Sequence, residues 1–489
     1  MSSSNTNRFV GLAFAVATTL LTPQSQAFCG FFVSGAGRTL YNDATFVVIA
    51  RAGDQTVLSM QNSYQGPPED FAMVVPVPVI LQKEDVKILP DDAFDRVDRL
   101  TAPRLVEYWE QNPCAGEKRP GLSWAMSRPD DRNKELTPQA RVVVEAEFTV
   151  GEYEIVILSA GDSTALDTWL RDHQYKIPAG AEPVLRPYVT NGSKFFVAKV
   201  NASKVRFLEG RAMLSPLRFQ YASQEFSLPV RLGLLNSSGM QDLIAIVLGS
   251  KRFEAANYKN VFMPTNIEVD DSVRNHFGEF YTGLFDRVLA KTPGAIVTEY
   301  AWEPGSCDPC PEPPLSDMDL KRLTGGLVPL WDSVITRLHY RYDKNSLGED
   351  LVLRSAPAMT GGRGVWDEKG LSQKAEPSHM DAFQSRFIIR HPWPGAVTCA
   401  NPTRNEWGGP PEGVAVANPA AATELATVDR KAVDVTTLLR IDVPELELRA
   451  PVIAVPEKRS SFRRGLSMGA IAGILVTLVE ILRRQFQKA

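Results

Sequence analysis

Histidine and cysteine are scarce in this 489-residue chain, five of each, and no long apolar run occurs away from its two ends. His173, His276, His339, His379 and His391 are scattered, and none forms an H-E-x-x-H or similar pair. That removes the zinc-peptidase helix from consideration. No pair of carboxylates stands out for acid–base work either; Glu69 and Asp70 fall in a proline-flanked loop and read as solvated charge. A basic excess is also missing: net charge is −4, or −5 without Arg8. The chain therefore lacks the extended phosphate-binding surface that nucleic acid requires. Aromatics at 9% and hydrophobic residues at 44% are ordinary and suffice for packed cores. The 35 prolines favour turns and edge-like segments over a helical bundle.

The apolar ends bracket the location. Arg8 precedes the largely apolar Phe9 to Leu21, and Ser25-Gln26-Ala27 places small residues where a signal peptidase cuts, so residues 1–27 read as a secretory signal. Gly465 to Leu482 reads as a single membrane helix of eighteen residues, reaching ~27 Å against a hydrocarbon core of ~30 Å. Glu480 lies close enough to its end to snorkel, and Arg483, Arg484 and Lys488 form a short basic tail (483–489) at the inner surface. Gly465, Gly469, Gly473 and Thr477 recur every four residues and offer a small-residue groove for self-association. The expectation is an exported protein held by its C-terminus, with the globular part extracytoplasmic.

Between the ends the patterning predicts an α+β fold of mainly antiparallel strands and hairpins with several short helices. Phe46 to Ile49 and Thr56 to Met60 flank Gly53-Asp54 as a hairpin. Val142, Val144, Ala146, Phe148 and Val150 alternate on one face, Gly151-Glu152 makes the turn, and Tyr153, Ile155 and Ile157 return. A helix opens at Asp91-Asp92 with Phe94, Val97 and Leu100 on its apolar face; Pro103 restarts it through Leu105, Tyr108 and Trp109. Further helices are predicted from Ser163 through Leu170 and from Ser272 to Ala290, and Ser316 with Asp319 resembles a capping box. Prolines crowd at Pro304, Pro309, Pro311, Pro313 and Pro314. They suggest an N-terminal domain over 28–305 and a smaller strand-rich unit over 306–407 packed on it. Residues 408–464 read as a Pro/Ala-rich stalk.

The sulfur chemistry has several readings. In an oxidising compartment Cys29, Cys114, Cys307, Cys310 and Cys399 are disulfide candidates, with one left over. Cys307 and Cys310 are expected oxidised, to each other or with one exchanged to Cys399, and the count leaves Cys29 for Cys114. A redox dithiol at Cys307-Asp308-Pro309-Cys310 would need a helix N-terminus to activate it, whereas the next helix signal comes only at Ser316. A zinc set of Cys307, Cys310, His391 and Cys399 has acceptable donors but wide spacing. Gly465-Leu466-Ser467-Met468-Gly469 spells a nucleophile elbow without the strand it needs. The Gly35-Ala36-Gly37 and Gly361 to Gly364 groups likewise read as turns, not phosphate loops.

Several longer phrases carry a resemblance: Phe28-Cys29-Gly30-Phe31-Phe32, the run Phe71 to Pro78, Ala102 to Trp109, Leu228 to Gly233, Cys307 to Pro311, and Trp407 to Pro411. Together they resemble a family of exported bacterial proteins known as domain of unknown function 2330. The resemblance spans about Phe28 to Pro411 and implies an extracytoplasmic bacterial setting; it transfers no activity, cofactor or site residue. With no catalytic motif in its required context, the leading expectation is a membrane-tethered envelope protein offering a binding or structural domain. No cofactor, no nucleic acid and no particular soluble partner is implied. The alternatives are a thiol-disulfide or metal protein using Cys307 and Cys310, and a hydrolase whose site is assembled from distant residues.

Overall fold

The run Phe46 to Met60 folds as its alternation predicts. In the computed structural model, strands Ala44–Ala52 and Gln55–Met60 pair antiparallel around Gly53, whose φ of 59° suits a residue without Cβ. The structure describes residues 31–34, 44–61, 71–90, 92–114, 143–173, 175, 177, 180–208, 211–236, 239–364, 366–367, 370–411, 414, 420–421 and 433–452. The chain divides into one unit, Met1–Ala450, and a second, Pro451–Ala489. Every described helix and strand belongs to the first.

The unit is sheet-rich, with mixed α and β elements and five α-helices among the described residues. The largest sheet has eleven strands, and its middle runs Ile296–Trp302, Val334–Tyr342, Gln241–Gly249, Ala44–Ala52, Gln55–Met60, Leu217–Ala222. Most neighbours are antiparallel, but Gln241–Gly249 lies parallel to Ala44–Ala52. Strands from both sides of the proline cluster at Pro304 to Pro314 share this sheet, so the cluster falls within the unit. One face carries Val47, Ile49, Leu58, Phe219, Leu243, Ala245, Val247 and Tyr340 against a five-stranded sheet, which contributes Met73, Val75, Tyr153, Ile155, Ile157 and Phe196. The other carries Val48, Ala50, Ile244, Ile246 and Ile335 against helices α1 (Ala93–Thr101) and α5 (Asp317–Thr324). The outer face of the five-stranded sheet is covered by α2 (Ser163–Asp172) and α3 (Ala181–Thr190). Because both faces of each of these sheets are covered, their strands read as near-continuous apolar runs; all nine residues of Gln241–Gly249 are buried.

The second hairpin forms with one irregularity. Val143–Val150 pairs with Tyr153–Ser159, but the register shifts between Val144 and Ala146. The bulge turns Val144 away from the apolar face it was expected to share, and it stands 50% exposed. The capping box is present: Ser316 accepts from the Asp319 N–H, and the Asp319 carboxylate accepts from the Ser316 N–H. The helix expected from Ser272 begins as a 3-10 turn, Asp271–Asn275, and becomes α4 at Phe277–Lys291.

Two expectations are corrected. Pro103 does not restart a helix; Arg104–Glu110 is a strand, paired in parallel with Arg386–His391. Ala102, before the proline, is extended, as proline demands of its predecessor. The partner strand, far along the chain, then captures the segment. Part of the expected stalk is also core: Val435, Leu439, Val443 and Leu448 are buried against α4 and Phe387. The remainder of 408–464 is only partly described. Among the described residues no helix is long and apolar enough to cross a membrane. The expected signal at 1–27 and span at 465–482, including Gly465, Gly469, Gly473 and Thr477, lie outside the described residues.

Candidate functional site

The cysteines resolve into two bonded pairs. Cys307 bonds Cys310, in the loop that precedes α5. Cys114 bonds Cys399, across 285 residues, rather than Cys29, which lies outside the described residues. Strands Arg104–Glu110 and Arg386–His391 run parallel, so the chain leaves both at the same end. Those exits bring Cys114 and Cys399 together. The conjectured zinc set is therefore not assembled: its three sulfurs are bonded in disulfides, and the Nε2 of His391 stands 2.6 Å from Glu107 Oε2. The Gly361 to Gly364 group does serve chain geometry. At Gly362, φ is 67° and a Cβ would stand 1.9 Å from the Gln384 carbonyl oxygen, a close approach only glycine permits.

Distant residues do converge, as a buried charge network on the α-helical side of the large sheet. Arg337, His339 and Arg341 alternate along Val334–Tyr342, and Asp242 is the second residue of the neighbouring strand. Glu299 joins them because the register of Ile296–Trp302 slips between Thr298 and Tyr300, an extra residue that re-aims the carboxylate. Glu299 accepts from Arg337 Nε at 2.7 Å and from Tyr281 Oη at 2.5 Å, and lies 2.7 Å from His339 Nδ1. The other imidazole nitrogen stands 2.7 Å from Asp242 Oδ1, which also accepts from Arg341 Nε at 2.8 Å. Asp98 reaches Arg337 Nη1 from α1. With a carboxylate oxygen at each ring nitrogen, only the doubly protonated imidazolium satisfies both contacts. Burial opposes that charge, but Glu299 and Asp242 raise the His339 pKa above its ordinary value. Burial alone would raise Glu299; His339, Arg337 and Tyr281 instead bring it down to about 2.

These are the ingredients of acid–base chemistry, placed where no substrate reaches them. His339 is 1% exposed and is stacked on Phe285 at 4.0 Å between ring centroids. The network cross-links the large sheet to α1 and α4. A second cluster, Glu107, Asp271 and His391, brings its ligand atoms within 4.8 Å of one another. Arg274 already lies among them, donating to Glu107 at 2.7 and 2.8 Å and to Asp271 at 2.8 Å. That guanidinium, and then the His391 contact, hold Glu107 below the ordinary carboxylate range. The positive charge a cation would bring is supplied by the chain itself.

Among the described residues a cleft of about 790 Å³ opens beside the sandwich core, within the size range of small-molecule pockets. Pro76, Val77, Pro78 and Val79 leave the five-stranded sheet along one wall, and Pro187 and Tyr188 of α3 continue it. Tyr221 to Glu225 and Pro229 form the other wall, with Glu349, Asp350 and Val352 closing the end. The floor is braced: Asp350 accepts from the N–H groups of Val230 and Arg231 at 2.8 and 3.0 Å and from Tyr188 Oη at 2.9 Å. Burial nevertheless leaves Asp350 above its ordinary pKa. Arg51 fixes the rim, donating to Ser223 Oγ at 3.0 Å and to the Ser223 carbonyl at 2.7 Å.

The rim itself is acidic. Asp54, Glu225 and Glu349 line it; Asp54 accepts from Gln55 Nε2 at 3.3 Å and feels the charge of Arg51. Arg231 supplies the one lining guanidinium and is engaged with the Gly348 carbonyl at 2.6 Å. The cleft was not legible as a motif, because its walls come from segments over a hundred residues apart. The run Phe71 to Pro78 and the Leu228 to Gly233 phrase both contribute to it.

Over residues 23–354 the chain matches the family described as an uncharacterised protein conserved in bacteria, DUF2330. No curated protein and no solved structure matches.

Proposed function

The chain belongs to DUF2330, a family of uncharacterised bacterial proteins, and from that premise we propose an exported, membrane-tethered protein whose folded unit captures a cationic peptide segment in the Pro76–Tyr188–Glu349 cleft. The observation carrying this reading is the acidic excess of the rim: Asp54, Glu225 and Glu349 over a wall of prolines and tyrosines, with Arg231 the one lining guanidinium. Proline and tyrosine present rigid apolar surface to an extended chain, and carboxylates supply acceptors for lysine and arginine. Export is supported by the leader pattern of residues 1–27 and by disulfides that suit an oxidising compartment. Catalysis is the weaker reading, since the one histidine hydrogen-bonded to two carboxylates among the described residues, His339, is sealed from solvent.

Calorimetric titration of the full-length protein in detergent with tri-lysine is expected to give saturable binding. Added salt should weaken it, because exposed charges are screened. Glu225→Gln with Glu349→Gln should weaken it about tenfold. Absence of saturable heat, or affinity indifferent to both substitutions, overturns the reading. Location has a separate test. Carbonate washing should leave the full-length protein with the membrane, and replacing Gly469 and Gly473 by Ile should reduce cross-linking between chains.

A further inference from the structure

Three arginines of the described chain are completely buried, Arg104, Arg337 and Arg386. Arg337 holds Asp98 and Glu299. The other two have no carboxylate within ion-pair distance among the described residues, and bond only neutral oxygens. Arg104 donates to the carbonyls of Pro309 (2.7 Å) and Leu100. Arg386 donates to Asn266 Oδ1 at 2.7 and 2.9 Å and to Tyr108 Oη at 3.0 Å. The two are directly paired positions on parallel strands, so both project from one face, where like charges oppose each other. Arg390 stands on that same face four residues beyond Arg386 and stacks on Trp407. From across the gap Arg363, lying over Trp302, brings its Nε to 3.9 Å from Asp308 Oδ2.

Four guanidiniums thus face two carboxylates, Asp308 and Glu268. Polar atoms without a hydrogen-bond partner among the described residues collect in the same place: Arg104 Nε, Arg363 Nε, Tyr300 Oη and Gln384 Oε1. Buried polar groups are almost always satisfied, and an ion is one of the few things that accounts for an exception. Burial holds Arg104 and Arg386 below the ordinary arginine range, and Asp308 pulls both back up. Asp308 is half-exposed, between the bonded Cys307 and Cys310, at the solvent side of this group.

We propose that the Arg104–Arg386 face, entered at Asp308, binds an oxyanion, a phosphate or carboxylate group, with Asp308 as the resident counter-charge that the ligand displaces. Arg104 Nε, Arg363 Nε and Tyr300 Oη donate to the ligand's oxygens, and Gln384 Oε1 accepts from a protonated phosphate oxygen. A net charge of −4 conceals this site because its cations are concentrated at one place in the fold. It is separate from the acidic cleft, and its test leaves that reading untouched.

The full-length protein in detergent would be titrated calorimetrically with inorganic phosphate and with citrate at constant ionic strength. Saturable binding of either supports the site; which one binds names the source of the group. Arg363→Ala, at a partly exposed position, should weaken binding at least fivefold. Asp308→Asn removes the resident charge while sparing every arginine, and should tighten binding at least threefold. Arg386→Lys keeps the charge but loses the planar fork, and should weaken binding in protein whose circular dichroism is unchanged. No saturable binding of either anion overturns the proposal, as does affinity unmoved by both Arg363→Ala and Asp308→Asn.

Discussion

Replacing Glu299 by Gln should cost about 3 kcal/mol of folding stability at neutral pH. The side chain keeps its shape but loses its charge, and its amide must present a donor to Arg337 or His339, which are themselves donors. The size follows from two independent routes. A pKa brought from 4.5 down to about 2 corresponds to about 3 kcal/mol. Removing one partner of a buried ion pair costs about 3–5 kcal/mol. Since the folded pKa is depressed, the contribution is present above 4.5 and is lost as pH falls toward 2. By pH 3, ~2 kcal/mol of it should be gone. Urea unfolding of wild type and Glu299→Gln, with disulfides intact, at pH 7, 5, 4 and 3, reads the difference directly. A gap under about 1 kcal/mol at pH 7, or one that does not narrow between pH 5 and 3, would refute an ionised Glu299 in the network.

His339 titrates in the opposite sense: its folded pKa is raised above 6.5, so its stabilisation is complete below that value and lost as pH rises through the folded pKa. Urea midpoints should therefore fall on the alkaline side, and His339→Gln should flatten that limb. Opening the Cys114–Cys399 bridge with paired serines should cost about 2–5 kcal/mol, read by unfolding of the double variant. Non-reducing peptide maps should recover both Cys114–Cys399 and Cys307–Cys310 peptides. Leu439→Ala should cost about 2–5 kcal/mol if Val435 to Leu448 is core, whereas a free stalk would show no change in the midpoint. Gly362→Ala should destabilise by more than the ~1–3 kcal/mol of a strained backbone alone, because the added Cβ meets the Gln384 carbonyl; a thermal midpoint within a degree of wild type would contradict this.

What the chain's own pattern determined was local. Alternation specified the Ala44–Met60 and Val143–Ser159 hairpins, helical spacing specified α1, α2 and α4, and Ser316 with Asp319 marked the start of α5. Each depends on interactions within a few residues. Part of the candidate cleft was foreshadowed by two phrases, Phe71 to Pro78 and Leu228 to Gly233, but only as likeness to a family. Tertiary structure decided the rest. Arg104–Glu110 carried a helix-like pattern, yet became a strand because Arg386–His391 offered its edge. That same parallel pairing carried Cys114 to Cys399 and set Arg104 beside Arg386. Glu299 met His339 only through a slip in register, and the cleft walls met only when two sheets packed together. Pairings across hundreds of residues follow from burial of whole faces, a collective free energy that no short window of sequence contains.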